Sequence, residues 1–139
     1  MLSLDARDTV LVVERDDELR ENIGECLELE RHCCWLEASS TAGLHRMGEE
    51  RRAPDLILLD YRTVGLSAQE FVHRLKENAA WGNVPVVLMA AAWDREVPHD
   101  LPFDGMLIKP FDMTRLMHAV REAMRPDAAR PALSLEGPT

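Results

Sequence analysis

Residues 55–60 read DLILLD, an apolar run that ends abruptly on an acidic residue, Asp60. Successive side chains of a strand point to opposite faces, so an unbroken apolar run predicts a strand that is buried on both faces. Burial on both faces is typical of a parallel sheet covered by helices. In such sheets the chemistry lies beyond the carboxyl ends of the strands, which makes Asp60 a candidate functional residue.

Four further runs rich in Val, Ile and Leu are predicted as strands. They are TVLVVE (9–14), CCWLEA (33–38), VPVVLMA (84–90) and DGMLIK (104–109). Amphipathic patterns of helical period lie between most of the strands. Ser67 with Glu70 is expected to form a capping box, and Asp112 is expected to cap the last helix. Alternating strands and helices predict five β-α units and, through right-handed crossovers, a doubly wound α/β fold.

Two segments depart from this regular alternation. Residues 92–105 contain Pro98 and Pro102, so the fourth helix is expected to be short or broken. Residues 126–139 have three prolines and no strong period, which predicts a flexible C-terminal tail after a single domain spanning 1–125. We expect no second, output domain in this chain.

Composition excludes several classes of function. The chain has 16 Lys and Arg against 25 Asp and Glu, a formal charge of −9, which repels nucleic acid and anionic membranes. The longest apolar stretch, residues 84–93, has about half of the 18 or more residues needed to span a bilayer. We therefore expect a cytoplasmic protein that binds neither nucleic acid nor membrane.

Charged side chains collect at one edge of the predicted sheet. The first strand ends at Glu14 and Arg15, the third at Asp60 and the fifth at Lys109. Any single charged strand end is explained as well by simple solvation. Two acids and two bases that converge on the same edge are instead typical of an electrostatic site.

The runs VLVVE (10–14), DLILLD, VPVVLM (84–89) and LIKPF (107–111) together resemble the receiver domain of bacterial two-component response regulators. The resemblance covers about residues 8–125. It implies the flavodoxin-like fold, with five parallel strands in the order 2-1-3-4-5. It also implies that Asp60 accepts a phosphoryl group from a histidine kinase, that Lys109 pairs with that group, and that Mg²⁺ is the cofactor. The peptide bond after the family's lysine is often cis.

The metal-binding positions of the family are altered in this sequence. Glu14 falls on the first of two acidic residues that hold Mg²⁺, but Arg15 falls on the second. The metal ligands that remain are Glu14, Asp60 and the backbone carbonyl of Arg62. Glu14 and Asp60 balance Arg15 and Lys109, so the pocket is expected to be neutral without a metal. Binding of Mg²⁺ is expected to be weak or absent.

The aspartates after Arg15 leave two alternatives open. Asp16 or Asp17 could turn into the pocket and restore a second acid. Asp17 is also suited to cap the first helix, and we favour this interpretation.

The two positions that transmit phosphorylation in the family are altered as well. Ala90 replaces the Ser or Thr whose hydroxyl binds the phosphoryl oxygen. Met106 replaces the switch aromatic, whose ring turns inward when that Ser or Thr moves toward the phosphoryl group. Both switch contacts of the family are therefore missing.

Three functions follow from these comparisons of residues. The leading one is a stand-alone, atypical receiver that works by binding a histidine kinase or another signalling protein, with Mg²⁺-dependent phosphorylation impaired or absent. The alternative is a working phospho-receiver that accepts phosphate on Asp60. An aspartyl-phosphate hydrolase is disfavoured because the sequence offers no general base near Asp60, so we do not expect an enzyme. The oligomeric state stays open.

The partner surface is expected on the face built from residues 92–103, the fifth strand and the last helix. Met113, Leu116 and Val120 are predicted to face inward. The residues left on the exposed side are predominantly basic: Arg115, His118, Arg121, Glu122 and Arg125. A basic helix on an acidic protein predicts a partner with an acidic patch.

Overall fold

A computed structural model describes residues 7–92, 94, 97 and 103–125. These residues form a five-stranded parallel sheet in the order β2-β1-β3-β4-β5. The strands are β1 (Thr9–Val13), β2 (Cys33–Glu37), β3 (Leu56–Asp60), β4 (Val86–Ala91) and β5 (Gly105–Lys109). The described helices are α1 (Asp17–Leu29), α2 (Ser40–Glu50), α3 (Ala68–Glu77) and α4 (Met113–Met124). The flavodoxin-like strand order is confirmed.

Helices cover both faces of the sheet. One apolar cluster packs α2 and α3 against one face, and a second packs α1 and α4 against the other. All the residues of β1 and β3 are buried, with at most 1% of their surface exposed. Burial on both faces explains why these strands are continuously apolar instead of alternating.

The first turn of each described helix is capped by a side chain that accepts a hydrogen bond from a backbone amide. Ser67 and Glu70 form the expected capping box at α3, and Asp112 caps α4 as predicted. The expectation for α1 is wrong, because its cap is Asp16 and not Asp17. Asp16 keeps an extended backbone and accepts a hydrogen bond from the amide of Leu19. The helix therefore begins one residue earlier than expected.

Two expectations fall almost entirely outside the described residues. They are the shortened fourth helix, in residues 92–103, and the flexible tail, in residues 126–139. In the part of the chain that the structure describes, no helix has both the length and the apolar content to cross a membrane.

Helix α4 follows its predicted register with one exception. Leu116 and Val120 are buried against the sheet, but Met113 is 41% exposed. Met113 is the first residue after the cap and lines a groove between α1 and α4, so its prediction as an inward residue is wrong.

The loop between β3 and α3 packs against the start of α2. The Ser40 hydroxyl contacts the carbonyl oxygens of Val64 and Leu66, and the Ser40 amide also donates to Val64. Gly65 has φ +95°, and a Cβ at this position would collide with the side chain of Thr41. Only glycine meets both requirements without strain, so Gly65 fixes the loop that follows Asp60.

Replacement of Gly65 tests this packing. We expect Gly65→Ala to lower the free energy of unfolding by about 1–3 kcal/mol, because it adds backbone strain and a steric clash. Gly48 in α2 is the matched control, since a Cβ there meets nothing within 4 Å. Gly48→Ala should raise stability by about 0.5–1 kcal/mol. Urea unfolding measures both changes, and equal effects would contradict this account of the loop.

Candidate functional site

The site begins with two carboxylates that the sheet places side by side. Strands β1 and β3 are neighbours in parallel register, with Val13 opposite Leu59. The next residues along the two strands are Glu14 and Asp60, which are 0% and 1% exposed. Burial of a charged group costs free energy unless it is paired, so this placement requires cations nearby.

Lys109 joins the two carboxylates from the end of β5. Its Nζ lies 3.0 Å from Glu14 Oε1 and 3.2 Å from Asp60 Oδ1. The following Lys109–Pro110 peptide bond is cis, in agreement with the sequence resemblance. One ammonium group therefore partners both buried acids.

Burial dominates the acidity of Glu14. Loss of solvent raises the pKa of Glu14 above its ordinary value, and the neighbouring charge of Asp60 adds to this increase. The amide of Asp16, which donates to Glu14 Oε2 at 3.0 Å, and Lys109 both act in the opposite direction. The net direction is upward, so Glu14 holds a proton more readily in the folded protein than in the unfolded chain.

Arg15 lies across the mouth of this pocket. Its Nη1 donates to the carbonyl oxygen of Arg62 at 2.8 Å, and its Nε lies 3.6 Å from Asp60 Oδ2. Asp60 Oδ2 is buried and accepts no hydrogen bond from the described residues. The guanidinium is thus bonded to the Arg62 carbonyl and lies near Asp60, two of the residues that the sequence resemblance assigns to a metal.

Arg62 connects the pocket to a third buried acid, Asp94. Its amide donates to Asp60 Oδ1 at 3.1 Å. Its guanidinium forms a two-point contact with Asp94, with Nε 2.9 Å from Oδ2 and Nη2 3.1 Å from Oδ1. The Asp94 side chain is 0% exposed. Arg62 therefore ties the β3–α3 loop to the segment after β4.

The sequence analysis missed this contact, as well as one made by Arg20. The two members of the Arg62–Asp94 pair are 32 positions apart and belong to no motif, so only folding shows that they meet. Arg20 donates from Nη1 to the backbone carbonyl of Glu14 at 2.8 Å and from Nη2 to Asp17. Its position six residues after Glu14, about one turn into α1, is the signal that could have identified it.

The other residues assigned to the site from the sequence lie on β4, on β5 and at the start of α1. Asp16 and Asp17 do not join the acidic pocket, because Asp16 caps α1 and Asp17 is an exposed partner of Arg20. Ala90 is buried in β4 beside Ile108. Met106 is 43% exposed on β5 and does not turn inward.

The assembled pocket pairs two negatively charged groups with two positively charged ones. The carboxylates of Glu14 and Asp60 face the cations of Arg15 and Lys109, a formal sum of zero. Within residues 7–92, 94, 97 and 103–125, no group of three or more His, Cys, Asp or Glu side chains is arranged to hold a metal ion. The chemistry available is the carboxylate of Asp60, with Oδ1 toward Lys109 and Oδ2 toward Arg15, and two such cations are suited to hold an anionic group.

Known proteins match this chain over most of its length. A family described as the response regulator receiver domain matches residues 10–121. The phosphate regulon transcriptional regulatory protein PhoB of Pseudomonas aeruginosa is 30% identical over 120 residues, which cover 84% of this chain and 52% of that protein. PhoB of Escherichia coli is 29% identical over 136 residues, which cover 92% and 58% of the two chains. The chain thus spans about half the length of these curated relatives.

Solved structures agree on the fold. The chemotaxis response regulator CheY4 of Vibrio cholerae superimposes with a TM-score of 0.73 at 17% identity, covering 84% of this chain and 98% of that one. The receiver domain of sensor histidine kinase PA1611 from Pseudomonas aeruginosa gives 0.75 at 21% identity, covering 85% and 98%. The latter structure has a magnesium ion coordinated in its active site cleft. At these identities the likeness concerns the fold alone.

The raised pKa of Glu14 predicts a pH dependence of stability. At a pH between the ordinary pKa of a glutamate, about 4.3, and the higher pKa of Glu14 in the folded protein, the folded protein binds more protons at Glu14 than the unfolded chain does. The contribution of Glu14 to stability is therefore complete below the ordinary pKa and is lost as the pH rises through the pKa of the folded protein. Glu14→Gln removes this titration.

Urea unfolding of wild type and Glu14→Gln between about pH 4 and pH 8 measures the effect. We expect the stability of wild type, relative to that of the variant, to fall as the pH rises. If the stability of wild type instead rises with pH relative to that of the variant, pairing with Lys109 affects the pKa of Glu14 more than burial does.

Proposed function

The chain belongs to the response regulator receiver family, and we propose that it is an atypical receiver in which Arg15 takes the place of Mg²⁺. In this proposal the chain acts in two-component signalling by binding a histidine kinase or another signalling protein in the cytoplasm. Phosphorylation that depends on Mg²⁺ is impaired or absent. The observation that carries the proposal is the contact of the Arg15 guanidinium with the Arg62 carbonyl, beside Asp60.

The donor groups of the pocket do not fit Mg²⁺. This ion requires near-octahedral coordination by oxygen atoms and gives up its water reluctantly. Of the three candidate ligands, Glu14 is paired with Lys109 and the Arg62 carbonyl is bonded to Arg15. A divalent cation near Asp60 would also meet the fixed positive charge of Arg15. Half of the Arg15 side chain is exposed, so solvent weakens this repulsion without removing it.

The contacts around the loops support a surface that phosphorylation does not change. Ligands shift a conformational equilibrium only by interacting differently with its two states. Ala90 has no hydroxyl with which to bind a phosphoryl oxygen, and Met106 already lies on the exterior. The Arg62–Asp94 pair meanwhile holds the β3–α3 loop to the segment after β4 without any ligand.

A partner surface is present on α4 under this proposal. Arg115, His118 and Arg121 are exposed there, in keeping with a partner that carries an acidic patch. Met106 and Ile108 on the neighbouring strand β5 are 43% and 44% exposed. Apolar side chains inside a charged rim are the usual composition of a recognition surface.

One observation favours a second candidate, the phospho-receiver. Asp60 Oδ2 has no hydrogen-bond donor among the described residues, while Lys109 lies 3.2 Å from Oδ1. Transfer of a phosphoryl group to Asp60 would create a dianion that Lys109 and Arg15 together could neutralise. In this alternative Arg15 supplies the positive charge that the family obtains from a metal, and phosphorylation of Asp60 by acetyl phosphate in the presence of a chelator would support it.

A titration with Mg²⁺ tests the leading proposal. We expect no saturable binding by wild type up to several millimolar, and at least about tenfold tighter binding by Arg15→Asp, because this change replaces a repelling charge with a ligand. Isothermal titration calorimetry measures the dissociation constants. Arg74→Asp, at an exposed position of helix α3, makes the same change of charge away from the pocket and should not improve binding. Millimolar or tighter binding by wild type would contradict the proposal, as would an Arg15→Asp variant that binds no better.

Beryllofluoride tests the loss of switching separately from the loss of metal affinity. Amide chemical shifts of residues 60–62 report occupancy of the pocket, and those of β5 report transmission to the surface. In Arg15→Asp with Mg²⁺ and beryllofluoride, we expect shifts at residues 60–62 with little change at Gly105–Lys109. Addition of Ala90→Thr restores a hydroxyl and should enlarge the β5 shifts. Wide β5 shifts without that substitution would show that the switch is intact.

A further inference from the structure

The edge of the sheet along β5 has exposed apolar side chains. Strand β5 is the last strand of the sheet, and its Met106 and Ile108 are 43% and 44% exposed. A groove of about 450 Å³ lies at this edge, with Met106, Ile108 and residues of α4 in its lining. An apolar sheet edge favours the binding of another stretch of chain. The groove is therefore a candidate binding site.

The two elements that line the groove differ in chemistry. Strand β5 contributes apolar side chains, whereas α4 contributes Arg115 and His118, which are both exposed. Within the described part of the chain, neither of these two side chains forms an ion pair. A complementary ligand therefore has apolar groups on one side and a negatively charged group on the other.

The chain carries a segment of this composition beyond α4. Residues 132–136, the tail segment, read ALSLE, and the three prolines of the tail lie outside them. In an extended segment alternate side chains lie on the same side, so Leu133 and Leu135 share one side and Glu136 lies on the other. The leucines match the apolar side chains of β5, and the glutamate matches Arg115.

The tail segment can reach the groove. Helix α4 starts at the carboxyl edge of the sheet, and its 12 residues are about 18 Å long, so Arg125 lies near the opposite edge, where β5 begins. An extended chain spans about 3.3 Å per residue, so Leu133 can lie up to about 26 Å from Arg125. This distance exceeds the length of α4 and of β5, so the tail segment can lie anywhere along the groove.

We propose that the tail segment binds in the groove of its own chain. Its leucines pack against Met106 and Ile108. Glu136 pairs with Arg115. A segment joined to its site by a short linker has a local concentration in the millimolar range, so the chain's own tail segment occupies the groove in preference to a second copy in more dilute solution.

The contact limits access to part of the molecule. It covers the surface on α4 and β5 that is proposed above for a partner. That surface needs no phosphorylation to form, but a partner has to displace the tail segment before it binds there. This consequence rests on the proposed function, whereas the contact itself does not.

Amide chemical shifts of the full chain test the contact. In the variant Leu133→Ser with Leu135→Ser, the tail segment loses its apolar side, so we expect the amide shifts of Gly105–Lys109 to change. The matched control is Ala128→Ser with Ala129→Ser, which also adds two hydroxyl groups to the tail. These changes lie outside the tail segment and should leave the shifts of β5 as they are in wild type.

Charge reversal tests which residue Glu136 meets. Glu136→Arg and Arg115→Glu each place like charges side by side, so each should move the β5 shifts toward those of the leucine variant. The double variant restores opposite charges and should return these shifts toward the wild-type values. Glu136→Arg combined with Arg74→Glu, at an exposed position of α3, is the matched control and should restore nothing.

Dilution distinguishes the chain's own tail segment from that of a second copy. The wild-type shifts should be the same between about 50 μM and about 1 mM, because a contact within one chain does not depend on concentration.

Three results would overturn the proposal. They are β5 shifts that the leucine variant leaves unchanged, a charge-reversed double variant that restores nothing, and wild-type shifts that change with concentration. The last of these would assign the groove to a second copy. The samples contain neither metal nor phosphate donor and the pocket is intact, so the outcome is independent of the proposed function.

Discussion

The structure depends on the burial of two neighbouring carboxylates. Strands β1 and β3 pair in parallel, and their ends place Glu14 and Asp60 next to each other with almost no exposure to solvent. Two adjacent buried negative charges are unfavourable, so the fold must supply positive charge at the same edge. Lys109, at the end of β5, meets both carboxylates and supplies the first part of it.

Arg15 supplies the rest of the positive charge that the two carboxylates require. Unlike a metal ion, this charge belongs to the chain itself. A tethered guanidinium is present at every metal concentration, whereas a bound cation can leave. Its hydrogen bond to the Arg62 carbonyl also holds the loop that Arg62 attaches to Asp94. In our proposal the same side chain neutralises Asp60, excludes Mg²⁺ and keeps the neighbouring loops in one arrangement. Partner binding would then rest on surfaces that are always present.

Local patterns in the sequence were sufficient to predict the sheet and the convergence of charge. DLILLD and the other apolar runs identify the buried strands, and capping residues such as Ser67 and Asp112 identify helix starts. Such features depend on short stretches of chain. The pairing of Arg62 with Asp94 depends on how two loops meet in space, and no local pattern predicts it. The choice of Asp16 over Asp17 as a cap was missed because either residue could have made the hydrogen bond.

The central claim is that Arg15 stands where other receivers hold a metal. The most direct test is a crystal structure of the wild-type protein grown with about 20 mM Mg²⁺, well above the millimolar range in which Mg²⁺ would have to bind. The account predicts that Arg15 Nη1 stays bonded to the Arg62 carbonyl and that no octahedral ion lies beside Asp60. An ion with oxygen ligands at about 2.0–2.1 Å, with Arg15 turned out to solvent, would contradict it.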